Sequence, residues 1–191
     1  MTFNISEFKN QGLKFGGARA SLFDFHLTRP AIIGVADESA KLRFTCRAAS
    51  IPASTVGQIE VPYFGRKIKL SGDRTFADWS ITVMNDEDYS VRKMFEDWLF
   101  VLNSHEGNIR RAGLDTYKSP ESVIKHYSKS GRIINSYTFV GLFPTEVSAM
   151  ELDWDTTNAI QTFTVNLAYD YWIPDIRQTN TAEAPATLAG V

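Results

Sequence analysis

The chain has a single cysteine, Cys46, so no disulfide can form within it. That excludes a small secreted scaffold held by bridges and makes a reducing compartment the simplest setting. It also lacks a basic excess: Lys and Arg total 20 against 22 Asp and Glu, for a formal net charge of −2. A free-standing nucleic-acid binder neutralises phosphates with surplus Lys and Arg, which this chain does not have. No run approaches the roughly 20 apolar residues of a membrane span. The opening MTFNISEFKNQG lacks the basic-then-apolar layout of a signal peptide. The expectation is a protein made in the cytosol without a cleaved export signal.

Recognisable chemistry is also missing. His26, His105 and His126 fall in separate segments. None has the i, i+4 partner or Cys/His cluster of a metal site. There is no Walker-type glycine loop and no nucleophile elbow, and Gly16-Gly17 alone is too little to bind phosphate. Asp86-Glu87-Asp88 departs from the spacing of a calcium loop and reads as a helix cap. Asp153 and Asp155 flank Trp154, but a paired-carboxylate hydrolase needs a second acidic strand end that the sequence does not identify. Cys46 has no histidine nearby to act as its base and reads as a small buried hydrophobe. No catalytic, cofactor-binding or metal-ligating residue is assigned, and the expectation is not an enzyme.

What the chain does have is alternation. Its 191 residues suffice for one hydrophobic core. Residues 1–18 read as an N-terminal arm whose spaced aromatics, Phe3, Phe8 and Phe15, could dock on a neighbour. Phe23, Phe25 and Leu27 predict a strand within 19–29, ended by Pro30 and a connecting loop over 31–39. Leu42, Phe44 and Cys46 predict a second strand, interrupted by residues 48–53. Residues 55–71 predict a projecting hairpin of two short strands around Pro62 and Gly65, too sparsely apolar for a core of its own. Its Arg66, Lys67 and Lys69 read either as a solvated tip or as a charged contact with a partner.

The chain is organised around residues 71–105. Phe76, Trp79, Ile81 and Val83 predict a strand there. Val91, Met94, Phe95, Trp98, Leu99 and Leu102 then recur at helical spacing, predicting a helix over about 88–104 with Gly107 as its stop. Core packing explains this stripe, with Trp79 and Trp98 also open to packing across a subunit boundary. Residues 105–120 read as a polar loop with a solvated Arg110-Arg111 pair. A hairpin around Ser130-Gly131, a break at Pro144 and a last strand from Ile160 to Tyr171 follow, and 173–191 read as a tail. The sum is eight or nine strands and one helix, a β-sandwich or rolled barrel with one packed helix.

The segments FTCRAASIPA, GRKIKLSGDRTFADWSITVMND, KMFEDW and GLFPTEVSAMELDWDTTNAIQTFTVNLAYDYW resemble the tail tube proteins of T4-like contractile-tailed bacteriophages. The resemblance covers roughly residues 20–172. The loop over 28–40 and the ending after Trp172 depart from it and inherit no role. It implies a β-barrel-like subunit forming hexameric rings stacked helically into the inner tube of a contractile tail. It implies as partners a surrounding tail sheath protein, baseplate tube-initiating proteins and a tail terminator. Phage DNA would pass through the lumen without specific binding. Location in the virion tail follows, after assembly in the host cytoplasm. Tubes of type VI secretion and related contractile injection systems, or a baseplate tube initiator, are the alternative within the same fold. The expected subunit-interface residues are Arg66, Lys67, Asp73, Arg74, Asp153, Trp154 and Asp155, with Asp73-Arg74 equally readable as a local turn pair. The lumen is expected to be acidic and neutral polar.

Overall fold

The structure is a computed structural model that describes residues 5–9, 13, 17–111, 113 and 116–175. The chain order is α1 (Ile5–Glu7), β1 (Phe23–His26), α2 (Ser39–Thr45), β2 (Cys46–Ala49), β3 (Ser54–Tyr63), β4 (Arg66–Phe76), β5 (Trp79–Met84), α3 (Ser90–Leu102), β6 (Ser122–Tyr127), β7 (Ile133–Val140), β8 (Phe143–Val147), β9 (Thr162–Ala168) and β10 (Tyr171–Pro174). Strands β1-β6-β7-β10 form one four-stranded sheet and β2-β5-β9-β8 a second, and among the described residues β3-β4 pair only with each other. All the paired strands are antiparallel.

The two four-stranded sheets meet face to face because alternate residues of each are apolar. Along β9, Phe163, Val165 and Leu167 are buried while their neighbours are half-exposed. Trp79 joins the layers: it stacks on Phe139 of β7 at 4.3 Å and takes the edge of Phe25 of β1 at 5.0 Å. Its indole N–H donates to the carbonyl of Ser50. Helix α3 adds Val91, Met94, Phe95 and Trp98 to the same core. Trp98 donates to the Tyr117 carbonyl at 2.8 Å. Both tryptophans are therefore core residues of one subunit, which removes the option of packing across a boundary.

Six sequence expectations need correction. The strand expected at 42–47 is helix α2, and β2 occupies Cys46–Ala49, where an interruption was expected. Only Leu42 of the alternating set is fully buried, while Phe44 is 76% exposed, so the period of two was accidental. Ala40, Lys41, Leu42 and Arg43 favour helix, and Asp37 starts it by accepting from the Ser39 N–H at 3.1 Å. Among the described residues two helices longer than one turn, rather than one, thus accompany ten strands. Pro144 does not break a strand but lies in β8, at a bulge on the sheet edge, where the missing N–H is tolerated. The last strand divides at Tyr169-Asp170, where the chain crosses from the β9 sheet to the β10 sheet. Ile173 and Pro174, expected in the tail, pair with Thr138 and Tyr137 of β7. Phe76 ends β4 instead of opening β5.

Helix α3 lies inside its expected range and ends five residues before Gly107, with Asn103 turning into extended backbone at φ −156°. Val101 takes a buried position that spacing had given to Leu99 and Leu102. Phe3, Phe15 and Gly16 of the arm, and residues 176–191 of the tail, lie outside the described residues.

Candidate functional site

The histidines are not brought together: His26 lies on β1, His126 on β6 and His105 beyond α3. Among the described residues no three His, Cys, Asp or Glu side chains are grouped so as to hold a metal. Burial, with the charge of Asp24 beside it, pushes the Cys46 thiol up to about 12, far from a reactive thiolate. The features that stand out are two exposed apolar surfaces.

The first is the β3-β4 ribbon. Its strands run for 10 and 11 residues, longer than the hairpin expected from sequence, and so extend about 30 Å. A two-residue turn, Phe64-Gly65, closes it with φ +43° and +78°. Such a turn needs left-handed backbone at both positions. Glycine supplies that freely, but phenylalanine does so at a cost. Phe64 is nonetheless 92% exposed. Directly opposed residues share a face, so the pairs Ile59↔Leu70, Val61↔Ile68 and Tyr63↔Arg66 make one side largely apolar. The pairs Glu60↔Lys69 and Pro62↔Lys67 lie on the other. Every one of those apolar side chains is exposed.

Near the middle of the ribbon a register shift falls between Val56 and Gln58. A Cβ on Gly72 would lie 3.1 Å from the Gly57 carbonyl carbon, so any side chain here would push against the facing backbone.

Lys67 forms an ion pair with Glu60 at 2.7 Å. Arg66, Lys69 and Arg74 have no carboxylate within salt-bridge distance among the described residues. Asp73 and Arg74 are consecutive residues of β4, projecting to opposite faces, so the turn-pair reading is wrong for them.

The second surface is the segment 148–161, between β8 and β9. It carries Glu151, Asp153 and Asp155 and no Lys or Arg. Asp153 holds the loop's shape: its carboxylate accepts from the Asp155 N–H at 3.0 Å and the Thr156 hydroxyl at 3.4 Å. This local turn projects Trp154, which is 100% exposed, beside Leu152 at 82% and Ile160 at 69%. Under the loop lies an open recess of about 590 Å³, lined by Ser148, Glu151, Gln161 and Thr164 among others.

Next to this loop, the turn after β5 adds further charge. Lys41 contacts Asp86 at 2.8 Å and Asp88 at 2.6 Å. These bonds from Lys41 hold both carboxyls below the usual range, that of Asp88 at about 2. Asp88 also accepts from the Ser90 N–H at 3.0 Å, where α3 begins. Arg92 of α3 donates to the Ser148 carbonyl at 3.1 Å and fixes the start of the loop.

The expected residues thus fall into two groups, Arg66, Lys67, Asp73 and Arg74 on the ribbon and Asp153, Trp154 and Asp155 on the loop. The groups are not brought together within one chain. Strand β5 enters from the ribbon at Trp79, opposite Leu167, and ends at Met84, opposite Thr162 where the loop ends. Ribbon and loop therefore sit at opposite ends of the same sheet. Spacing put Ile160 at the start of the last strand, but β9 begins at Thr162 and Ile160 lies exposed in the loop; it did not single out Phe64, Glu151 or Leu152. Their exposure was the missing signal, and no periodic pattern carries it.

The family of phage tail tube proteins matches residues 18–175. The tail tube protein gp19 of Enterobacteria phage T4 is 40% identical over 130 residues, which cover 68% of this chain and 79% of that protein. The fold is shared with two cryo-EM structures of an extracellular contractile injection system. A chain in its sheath/tube terminator structure, in the extended state, superposes with a TM-score of 0.59 at 15% identity, covering 82% of this chain and 94% of that one. Its sheath–tube complex in the extended state gives 0.53 at 16% identity, covering 91% and 98%. With two open antiparallel sheets and a free-standing ribbon, and with more than half its length matched, the chain belongs to the phage tail tube protein family.

Proposed function

We propose that this protein polymerises as hexameric rings, stacked helically into the inner tube of a contractile phage tail, and that the tube conducts DNA on ejection. The observation that carries this reading is the ribbon. It belongs to neither four-stranded sheet, and its apolar face is exposed along its length. An isolated hairpin is marginal in water, and contiguous exposed apolar surface marks an interaction site. The sheets support the same reading, since β1 and β10 bound one and β2 and β8 the other. Such edges normally need protection, and in a ring neighbouring strands can supply it. Interfaces of the heterologous kind close into rings or extend without limit, according to geometry.

In this reading the role is structural rather than enzymatic. The partners are further copies of the chain, a tail sheath protein, a baseplate initiator and a terminator. DNA is a passenger. Each phosphate neutralised would add affinity, so an acidic and neutral polar lumen lets the cargo slide, in keeping with the net charge of −2. The domain is read as beginning near residue 19 and including all of β10 up to Pro174, with the residues before it as an arm and those after it as a tail.

Negative-stain microscopy of the purified protein, alone and with short tail-tube seeds, tests the reading. Sixfold rings or tubes are expected. A monomer that neither assembles at high concentration nor extends seeds would overturn it. A second reading, the tube of a contractile injection system, is favoured only by the shared fold. The genes flanking this one in a viral or a bacterial chromosome separate the two.

A further inference from the structure

We infer that the ribbon of one copy docks on the 148–161 loop of the next copy, joining opposite ends of the same sheet. This rests on the tube reading above and specifies the surfaces that hold successive copies together. The two surfaces are complementary in charge. Residues 54–76 carry Arg66, Lys67, Lys69 and Arg74 against Glu60 and Asp73, whereas 148–161 carry three carboxylates and no base. Lys67 is already engaged with Glu60, leaving Arg66, Lys69 and Arg74 as the available cations.

At the loop end, Lys41 is engaged by Asp86 and Asp88, and Arg92 by Glu96. Lys93 donates to the Asp88 carbonyl at 3.3 Å. Glu87, Glu151 and Asp155 remain exposed beside them. That end is thus acidic even after its own bases are counted.

The surfaces are also complementary in apolar content. Ile59, Val61, Tyr63, Ile68 and Leu70 line one side of the ribbon, Phe64 caps its tip, and Leu152, Trp154 and Ile160 project from the loop, all exposed. Neither set can reach the other within one chain, because β5 and β9 separate them. Placed at opposite ends of one sheet, they can meet only between copies, in the same orientation each time. That arrangement is heterologous and extends without limit wherever its rotation does not close. Trp154 would then lie on the apolar side of the ribbon, while Arg66 on that same side and Lys69, reaching round from the other, meet Glu151 and Asp155.

Carbodiimide, which joins an amine to a carboxylate without a spacer, tests the contact on assembled full-length protein. The polymer is grown from a mixture of ordinary and ¹⁵N-labelled chains, so that mass spectrometry separates links between copies from links within one. Links between copies joining Lys69 to Glu151 or Asp155 are expected. In parallel, Arg66→Glu with Lys69→Glu, and separately Glu151→Lys with Asp155→Lys, should each reduce polymer at least tenfold with monomer circular dichroism unchanged. Mixing the two variants should restore assembly, since each then offers the other a matching partner. Polymer that forms but gives no such link, or variants that assemble like the parent, would overturn the docking while leaving the tube reading intact. Absence of any polymer from the parent chain would overturn both.

Discussion

The sandwich core and the ribbon use the same kinds of residue on antiparallel strands, yet only one of them is satisfied inside the chain. Trp79, Phe139 and Phe163 are nearly inaccessible, because the apolar face of each sheet meets another layer. Ile59, Val61, Ile68 and Leu70 are about half exposed, because among the described residues no layer lies over the ribbon. Burial of such side chains contributes about 1.5–3 kcal/mol each wherever it happens. In the core that energy goes into folding one chain, and on the ribbon it is left for association. Alternation of apolar residues therefore does not distinguish a core strand from an assembly strand.

The largest effect that could break this comparison is at Trp79. Trp79→Ala should lower monomer stability by about 3–5 kcal/mol, read from the urea midpoint, because it empties the contact between Phe25 and Phe139 and leaves the Ser50 carbonyl without its indole donor. A loss below about 1 kcal/mol would mean that the layers are not joined there. Next, Ile59→Ser with Ile68→Ser should shift monomer stability by no more than about 0.5 kcal/mol. The same pair should raise the concentration at which polymer appears at least about a hundredfold, if both side chains are buried on association. A core-like loss of monomer stability would place the ribbon with the sandwich instead.

Gly72→Ala should cost about 1–3 kcal/mol locally, because its new Cβ meets the Gly57 backbone. Hydrogen exchange should quicken in residues 54–76 while β5 and β9 stay protected. Quickening throughout would show that the two regions unfold as one unit.

The smallest effect sharpens the comparison at the exposed end of the sheet. The Asp86 and Asp88 carboxyls lie below their ordinary values because Lys41 donates to both. Their stabilisation is complete above the ordinary carboxylate range, near pH 4, and is lost as pH falls towards about 2. Lys41→Met should flatten the dependence of the urea midpoint on pH between those limits. An unchanged slope would remove the ion pairs from the account.

The elements legible in the sequence were those whose faces differ sharply. Helix α3 follows from its apolar stripe, and β5 from Trp79, Ile81 and Val83. The Ser130-Gly131 turn announced the β6-β7 pair. Helix α2 was missed because three alternating apolar residues fit a strand as well as one and a half turns of helix. The division between β9 and β10 was hidden because apolar alternation continues through Tyr169 while the chain changes sheets at Asp170, whose N–H donates to the Val140 carbonyl at 3.0 Å. At the candidate site, the charged groups at the ribbon tip and around Trp154 could be picked out. That they belong to opposite ends of one sheet could not, because it depends on the pairing of β5 with β9, whose residues lie about eighty positions apart.

That pairing gives the assembled object a direction. If every copy presents its ribbon at one end and its 148–161 loop at the other, a growing tube always has a bare basic ribbon rim and a bare acidic loop rim. A protein that starts the tube and one that stops it then face chemically different surfaces. One must offer carboxylates and an apolar bed, and the other cations and an apolar blade. Growth is one-way as soon as either rim is occupied, and a subunit arriving upside down meets its own charge.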